Sequence, residues 1–169
     1  MPDQVKAFRD GLGVFVNDAL RWRMRQCLTV GEIQLLLCGV KKIDVADWKR
    51  STQYTGGFTE ASSTVLWFWK VVKTMSAQQR AEMLHFVIGS SRAPATGFAQ
   101  LMGYGGNQQR FTLQPVAGQA LPGRFRLPTA STCFNTLRLP TYATMEELKQ
   151  KLLLAVGGAR GFDENAVAE

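Results

Sequence analysis

The chain has 169 residues, of which 46% are hydrophobic, so it is long enough to form one domain with a substantial core. Its longest apolar runs, 65–69 and 152–156, are far shorter than the roughly 18 residues of a membrane span, and residues 1–10 lack the apolar centre of a secretory signal. The formal charge of +7 is spread along the chain rather than concentrated among aromatic residues, which argues against a nucleic-acid-binding protein.

The three cysteines limit the compartment and the chemistry. Cys27, Cys38 and Cys133 form neither an even disulfide framework nor a metal-ligand spacing, which predicts reduced thiols and no metal site. Cys38 falls in the apolar run 33–38 and is predicted to be a small buried hydrophobic residue. Reduced thiols and the lack of a signal peptide predict an intracellular protein, cytoplasmic with the nucleus also open.

Capping boxes predict where three helices begin, because a Ser or Thr side chain there binds a free amide and a Glu or Gln three residues later binds back. The capping pairs are Thr29 with Glu32, Ser76 with Gln79, and Thr144 with Glu147. The predicted helices are 30–38 before Gly39, 77–88 before Gly89, and 145–156 before Gly157 and Gly158. A further helix, from Thr59 or Ser62 to about Met75, is apolar nearly all round, which predicts a place in the middle of the domain.

Strand-like segments are fewer, and they are 110–115, 124–127 and 134–139. The loop 103–107 has turn residues and lacks the Lys-Ser/Thr of a phosphate loop, so it is predicted to be a connector rather than a nucleotide cradle.

Cys133 is the best candidate for chemistry. Pro128 and Pro140 restrict the backbone on either side of it, and residues 134–139 alternate as a strand does. Cys133 is therefore predicted to lie in a turn at the entrance of a strand. A lone cysteine is by default a buried core thiol, and the polar neighbours Ser131, Thr132 and Asn135 oppose that interpretation without deciding the matter.

The single histidine bears on which cysteine chemistry is available. His85 lies in the predicted helix 77–88 and is interpreted as a partly buried structural side chain rather than a catalytic base. This disfavours a papain-like hydrolase, which needs a Cys/His pair oriented by a third residue. Exchange between thioesters needs an accessible thiolate and no strong base.

The residues around Cys133 closely resemble the active-site signature of HECT ubiquitin ligases, L-P-x-A/S-x-T-C-F-N-x-L-x-L-P-x-Y, at every fixed position. The likeness extends through 35–39, 43–48, 67–69, 86–94, 147–155 and 161–162, and so covers nearly the whole chain. It implies an α/β fold, with a small mixed sheet packed with helices and preceded by a helical N-terminal segment. It also implies a ubiquitin-protein transferase that needs no cofactor.

The resemblance further implies a domain order. Residues 1–39 resemble the last helices of the N-lobe, 40–43 the hinge (Val40, Lys41, Lys42 and Ile43), and 44–162 a complete C-lobe, with 163–169 as a tail. Most of the N-lobe, including the docking site for the ubiquitin-conjugating enzyme, is expected to lie outside this chain. The apolar helix 33–38 would then lack partners, which predicts self-association through residues 5–39.

The resemblance implies a role for each residue of the site. Cys133 would be the thioester nucleophile, Leu127 and Pro128 would lead the ubiquitin tail toward it, and Thr132, Phe134 and Asn135 would form the active-site loop. Phe162 would support transfer to lysine, although Asp163 or Glu164 could instead deprotonate the lysine. The expected partners are ubiquitin, a conjugating enzyme and protein substrates. The alternative is a ubiquitin-binding or adaptor fragment that cannot be loaded.

Overall fold

A computed structural model describes residues 2–116 and 126–164, with side chains described over 3–116 and 126–158. The chain divides into two compact units, Met1–Cys38 and Gly39–Glu169. The first unit contains the helices α1 (Pro2–Phe15), α2 (Asp18–Cys27) and α3 (Val30–Cys38). No helix in the described ranges combines the length and the apolar content that a bilayer crossing requires.

The second unit is built around a small mixed sheet, as predicted. Its helices are α4 (Val45–Arg50), α5 (Ser63–Thr74), α6 (Ala77–Ile88) and α7 (Met145–Glu164), and its strands are β1 (Gln53–Tyr54), β2 (Thr112–Pro115), β3 (Thr129–Ser131) and β4 (Thr136–Leu139). The strand order is β1-β2-β4-β3, in which β1, β2 and β4 run parallel and β3 runs antiparallel to β4. The α/β class predicted from the sequence is therefore confirmed.

The capping boxes set the helix starts as predicted. The Thr29 hydroxyl accepts the Glu32 amide at 3.3 Å while the Glu32 carboxylate accepts the Thr29 amide at 2.7 Å. Ser76 caps α6 in the same reciprocal way with Gln79. At α7 the box is altered: the Thr144 hydroxyl accepts the Glu147 amide at 3.1 Å, whereas the Glu147 carboxylate accepts the amide of Ala143.

One predicted helix end is wrong. Helix α7 does not stop before Gly157 and Gly158 but continues to Glu164. Neither glycine takes the positive φ of a helix C-cap, unlike Gly39 (φ 71°) and Gly89 (φ 74°), where the predicted ends of α3 and α6 are confirmed. Glycine costs only about 1 kcal/mol inside a helix, so it permits a stop without imposing one.

Two predicted strands are present and one is displaced. Segments 110–115 and 134–139 contain β2 and β4, although Phe134 itself lies before β4 in a short 3₁₀ turn. Of the predicted strand 124–127, residues 124 and 125 lie outside the described residues, and Arg126 and Leu127 are not in a strand. The strand begins instead at Thr129, directly after Pro128, which has no N–H for a sheet ladder.

Trp48 is the centre of the core of the second unit. Its ring stacks on Phe98 at 5.2 Å and meets Trp69 and Phe111 edge to face at 5.8 Å and 5.1 Å. Helix α5, predicted to be central, buries most of its apolar residues, but Leu66 faces solvent with 43% exposure. The packed centre therefore joins α4, α5 and the segments that lead into the sheet.

The first unit has a different surface. Helices α2 and α3 contain no buried residue. The large exposed hydrophobic residues of this unit include Val5, Phe8, Leu12, Val14, Phe15, Leu35, Leu36 and Leu37. Cys38 is exposed, so the prediction that it is a buried hydrophobic residue is wrong, because α3 has no core to enter.

The segment that opens the second unit is fastened at both ends. Val40 donates its amide to the Ala93 carbonyl at 2.9 Å and accepts the Ala93 amide at 3.2 Å, and Ile43 is buried. Asp44 then caps α4 by accepting the amides of Ala46 and Asp47, and these hydrogen bonds hold the pKa of the Asp44 carboxyl below its ordinary value. Lys41 and Lys42 lie exposed between the two anchors.

Candidate active site at Cys133

Cys133 lies where the sequence predicted, in a turn at the entrance of a strand. The 3₁₀ turn Thr132–Phe134 joins β3 to β4, and the Cys133 side chain is exposed. Thr132 is exposed beside it, and Phe134 is 58% exposed. The site therefore presents an accessible thiol between a polar and an aromatic neighbour, and the alternative of a buried core cysteine is excluded.

Asn135 holds this turn in place. It is 1% exposed and has left-handed backbone angles (φ 48°, ψ 37°), which asparagine tolerates better than most residues. Its side-chain amide nitrogen donates to the carbonyls of Met102 at 2.9 Å and Gln109 at 2.7 Å. Its own carbonyl accepts the amide of Thr112 at 2.9 Å. Asn135 therefore anchors the turn from below rather than forming part of its accessible surface.

The loop 101–109 is the part of the site that sequence reasoning missed. It is closed by hydrogen bonds from the Gln109 amide to the Leu101 carbonyl and from the Gly103 amide to the Asn107 carbonyl, each 2.8 Å long. Gly103 packs so tightly that a Cβ there would lie 3.0 Å from the carbonyl oxygen of Cys133. Residues 103–107 were predicted to be a connector rather than a nucleotide cradle, and the loop in addition packs directly against the turn of Cys133.

We expect Gly103→Ala to disturb the turn because the added methyl would lie 2.6 Å from Cβ of Gln109 as well as 3.0 Å from the Cys133 carbonyl oxygen. Overpacking of this kind costs about 1–3 kcal/mol. Urea unfolding should show that loss. Gly106→Ala is the matched control for a loop glycine without a close neighbour, since no atom lies within 4 Å of its Cβ, although its φ of 76° adds some backbone strain. Equal stability of Gly103→Ala and the unchanged chain would contradict the close packing.

Residues 126–128, which precede β3, include a hydrogen-bonded backbone group, a buried proline and an exposed leucine. The Tyr142 hydroxyl donates to the Arg126 carbonyl at 3.0 Å, and Pro128 is buried, whereas Leu127 is 39% exposed. Burial raises the pKa of Tyr142 well above its ordinary value, and the negative charge of Glu147 acts in the same direction, so the phenol remains a donor. Among the described strands β3 pairs only with β4, which leaves its other edge unpaired.

The structure thus brings together some of the predicted site residues and separates others. Thr132, Cys133 and Phe134 are exposed together on the turn, and Asn135 anchors it from the interior. Leu127 (exposed) and Pro128 (buried) lie at the other end of β3. The side chain of Phe162 lies outside the described side chains, and only its place in the α7 backbone is given. His85 is exposed rather than partly buried, because the buried residues of α6 are Met83, Leu84 and Val87.

An exposed thiol on an anchored turn, next to a strand edge that no other described strand pairs with, is suited to an enzyme that carries an extended peptide as a thioester. The family profile described as HECT-domain (ubiquitin-transferase) matches residues 1–165, and the chain therefore belongs to the HECT family.

The chain is also similar to curated proteins of three vertebrates. It is 41% identical over 153 residues, 90% of its length, to the protein named E3 ubiquitin-protein ligase HACE1 from Xenopus laevis, Danio rerio and Homo sapiens. The matched part is 15% of the Xenopus laevis protein and 16% of the other two. The chain thus spans only a small part of the length of these relatives.

Proposed function

We propose that this chain is the catalytic part of a ubiquitin-protein ligase, in which Cys133 accepts ubiquitin from a charged conjugating enzyme and passes it to a substrate lysine. The observation that carries the proposal is the exposed thiol on a turn that Asn135 holds in place. In the first step the Cys133 thiolate attacks the thioester carbonyl and the thiolate of the conjugating enzyme leaves. In the second step a neutral lysine amine attacks, an amide forms, and the Cys133 thiolate is released.

The donor tail has a suitable surface beside the thiol. The edge of β3 that faces away from β4 pairs with no strand among the described residues and leads directly into the turn. An extended peptide can add to such an edge through main-chain hydrogen bonds. We propose that the ubiquitin tail pairs there, past Leu127 and over Pro128, and that Thr132 and Phe134 shape its approach. The exposure of Leu127 and Phe134 supports this placement.

The acceptor lysine must lose a proton before it attacks. Residues 101–116 and 126–142 carry no Asp or Glu. Helix α6 also packs against the turn, and its Glu82 carboxylate accepts a hydrogen bond from Gln78 at 2.8 Å. We therefore propose that the acidic pair Asp163 and Glu164 supplies the base and that Phe162 supports the transfer. Residues 163–169 would then serve the second step rather than the first.

The rest of the domain assignment is part of the same proposal. Residues 1–39 would be N-lobe helices, 44–162 the C-lobe, and the linker 40–43 the hinge about which the lobes move. The exposed apolar residues of α1 and α3 support two parts of this proposal. One is that these helices pack against N-lobe residues outside this chain, and the other is that residues 5–39 take part in self-association. Exposed thiols at Cys27 and Cys38 fit a reducing compartment, which is the cytoplasm or the nucleus.

We expect a covalent adduct with ubiquitin that Cys133→Ala abolishes. The chain would be mixed with charged conjugating enzyme and, separately, with ubiquitin carrying a small-molecule thioester at its C-terminus, and the adduct would be detected by its sensitivity to reductant. Cys27→Ala and Cys38→Ala are matched controls, because both remove an exposed thiol.

The two donors separate the possible outcomes. An adduct that persists in Cys133→Ala would end the assignment of that residue. Loading by the small thioester but not by the conjugating enzyme would mean that the docking site lies outside this chain. No adduct from either donor would favour the ubiquitin-binding or adaptor alternative.

A further inference from the structure

The two sides of Cys133 differ in structure. Strands β2 and β4 are parallel with Thr112 beside Thr136, and β3 is antiparallel to β4 with Ser131 beside Thr136. At this end of the sheet the start of β4 therefore lies between the start of β2 and the end of β3. The loop 101–109 precedes β2, so it flanks the turn on the side opposite the edge of β3 that faces away from β4.

Hydrogen bonds and close packing hold the loop 101–109 against the turn. Asn135 donates to carbonyls at both ends of the loop, and Gly103 lies against the Cys133 carbonyl. The loop also exposes two large side chains on either side of Gly103, with Met102 54% exposed and Tyr104 79% exposed. A tightly anchored loop that holds a methionine and a tyrosine out into solvent next to an exposed thiol is suited to binding a ligand through these two side chains.

We propose that Met102 and Tyr104 form the surface over which the acceptor lysine reaches the thioester. The inference rests on the proposed function, in which the ubiquitin tail occupies the β3 side, so that the acceptor approaches from the loop side. A lysine has an aliphatic stem that packs on apolar side chains and an ammonium group that is attracted to an aromatic face. The loop 101–109 contains no Asp or Glu, so the ring of Tyr104 is the group of this loop that suits a cation.

Met102 and Tyr104 would position the acceptor lysine and would not take part in making or breaking bonds. The amine nitrogen attacks the thioester carbonyl, the carbon–sulfur bond breaks, and the electron pair returns to sulfur as the Cys133 thiolate. The lysine contacts Tyr104 as an ammonium group and gives up its proton, to the solvent or to the acidic pair proposed above, before the neutral amine attacks. Met102 and Tyr104 would raise the fraction of time that the amine spends near the carbonyl, which is a contribution of orientation.

The test is single-turnover discharge of the chain after loading with the small-molecule thioester of ubiquitin. We expect Tyr104→Ala to slow discharge to free lysine about three- to tenfold, the effect of a contact worth about 1 kcal/mol. Tyr104→Phe keeps the aromatic face and should stay within about twofold of the unchanged chain. Loading, and discharge to a small thiol, should be unchanged in both variants. Leu66→Ala is the control for truncation of an exposed apolar residue on α5.

The outcomes distinguish this inference from the proposed function. Loading that requires Cys133, combined with normal lysine discharge in Tyr104→Ala, would overturn the acceptor surface and leave the proposed function intact. Slower loading in Tyr104→Ala would overturn it too, because the loop would then contact the donor. If the unchanged chain cannot be loaded at all, the proposed function fails and the acceptor surface fails with it.

Discussion

Asn135→Asp should both destabilise the second unit and impair loading of Cys133, although the two side chains have nearly the same shape. The carboxylate cannot donate, so it would place a negative charge against the carbonyls of Met102 and Gln109 in a site that is 1% exposed. Loss of both hydrogen bonds alone costs about 2–3 kcal/mol, and the buried charge adds to this. We expect a lower urea midpoint, and slower loading at temperatures where the variant is still folded.

Further variants separate the backbone role of Asn135 from its side-chain role. Asn135→Gly permits the left-handed backbone but removes the amide, and Asn135→Ala adds about 1–2 kcal/mol of backbone strain to that loss. The unchanged chain should therefore be the most stable, followed by Asn135→Gly and then Asn135→Ala. Asn135→Asp should also be less stable than Asn135→Gly. Asn107→Asp is the matched control, because Asn107 has an exposed side chain and lies in the loop 101–109 that Asn135 anchors. It should change stability by less than about 0.5 kcal/mol. A stable Asn135→Asp variant with normal loading would contradict the anchoring role.

Trp48→Ala should cause the largest loss of stability among core substitutions in the second unit. Trp48 is 0% exposed, and its ring contacts Trp69, Phe98 and Phe111, so truncation leaves a cavity lined by aromatic rings. Replacing a large buried aromatic residue by alanine costs about 3–5 kcal/mol. Urea unfolding followed by circular dichroism would measure the loss.

The same substitution has a control elsewhere in the chain. Trp22 in α2 is 64% exposed, and Trp22→Ala should change stability by less than about 0.5 kcal/mol. Trp48→Phe should lose less than Trp48→Ala, since the ring Nε1 of Trp48 has no hydrogen-bond partner within the described part of the chain. Equal losses for Trp48→Ala and Trp22→Ala would contradict the central place of Trp48.

Trp48→Ala should also affect the turn of Cys133. Trp48 stacks on Phe98, and the Phe98 amide donates to the Asp47 carboxylate at 2.9 Å, so α4 fixes the chain just before the loop 101–109. That loop in turn contacts the turn of Cys133 through Gly103 and Asn135. We therefore expect a folded variant of Trp48 to load more slowly even though Trp48 is not one of the residues of the turn.

Local chemistry explains what could be predicted about the elements. A capping box involves residues three apart, so Thr29 and Ser76 mark their helices without reference to the rest of the fold. Helix α4 was not predicted, although its cap Asp44 is just as local, because a six-residue helix carries little periodic signal. The stop expected at Gly157 was wrong because glycine allows both a helix and a C-cap, and the neighbouring turns decide between them.

The sequence by itself determined the turn that contains Cys133, the strand that follows it and the family, because all three are carried by contiguous residues around Cys133. The tertiary structure decided that Asn135 is an internal anchor and that the loop 101–109 belongs to the site. The reason is distance along the chain: the amide of Asn135 bonds carbonyls 33 and 26 residues away, and no local pattern specifies which buried donor will meet which acceptor. Only the folding of β2 alongside β4 brings those groups together.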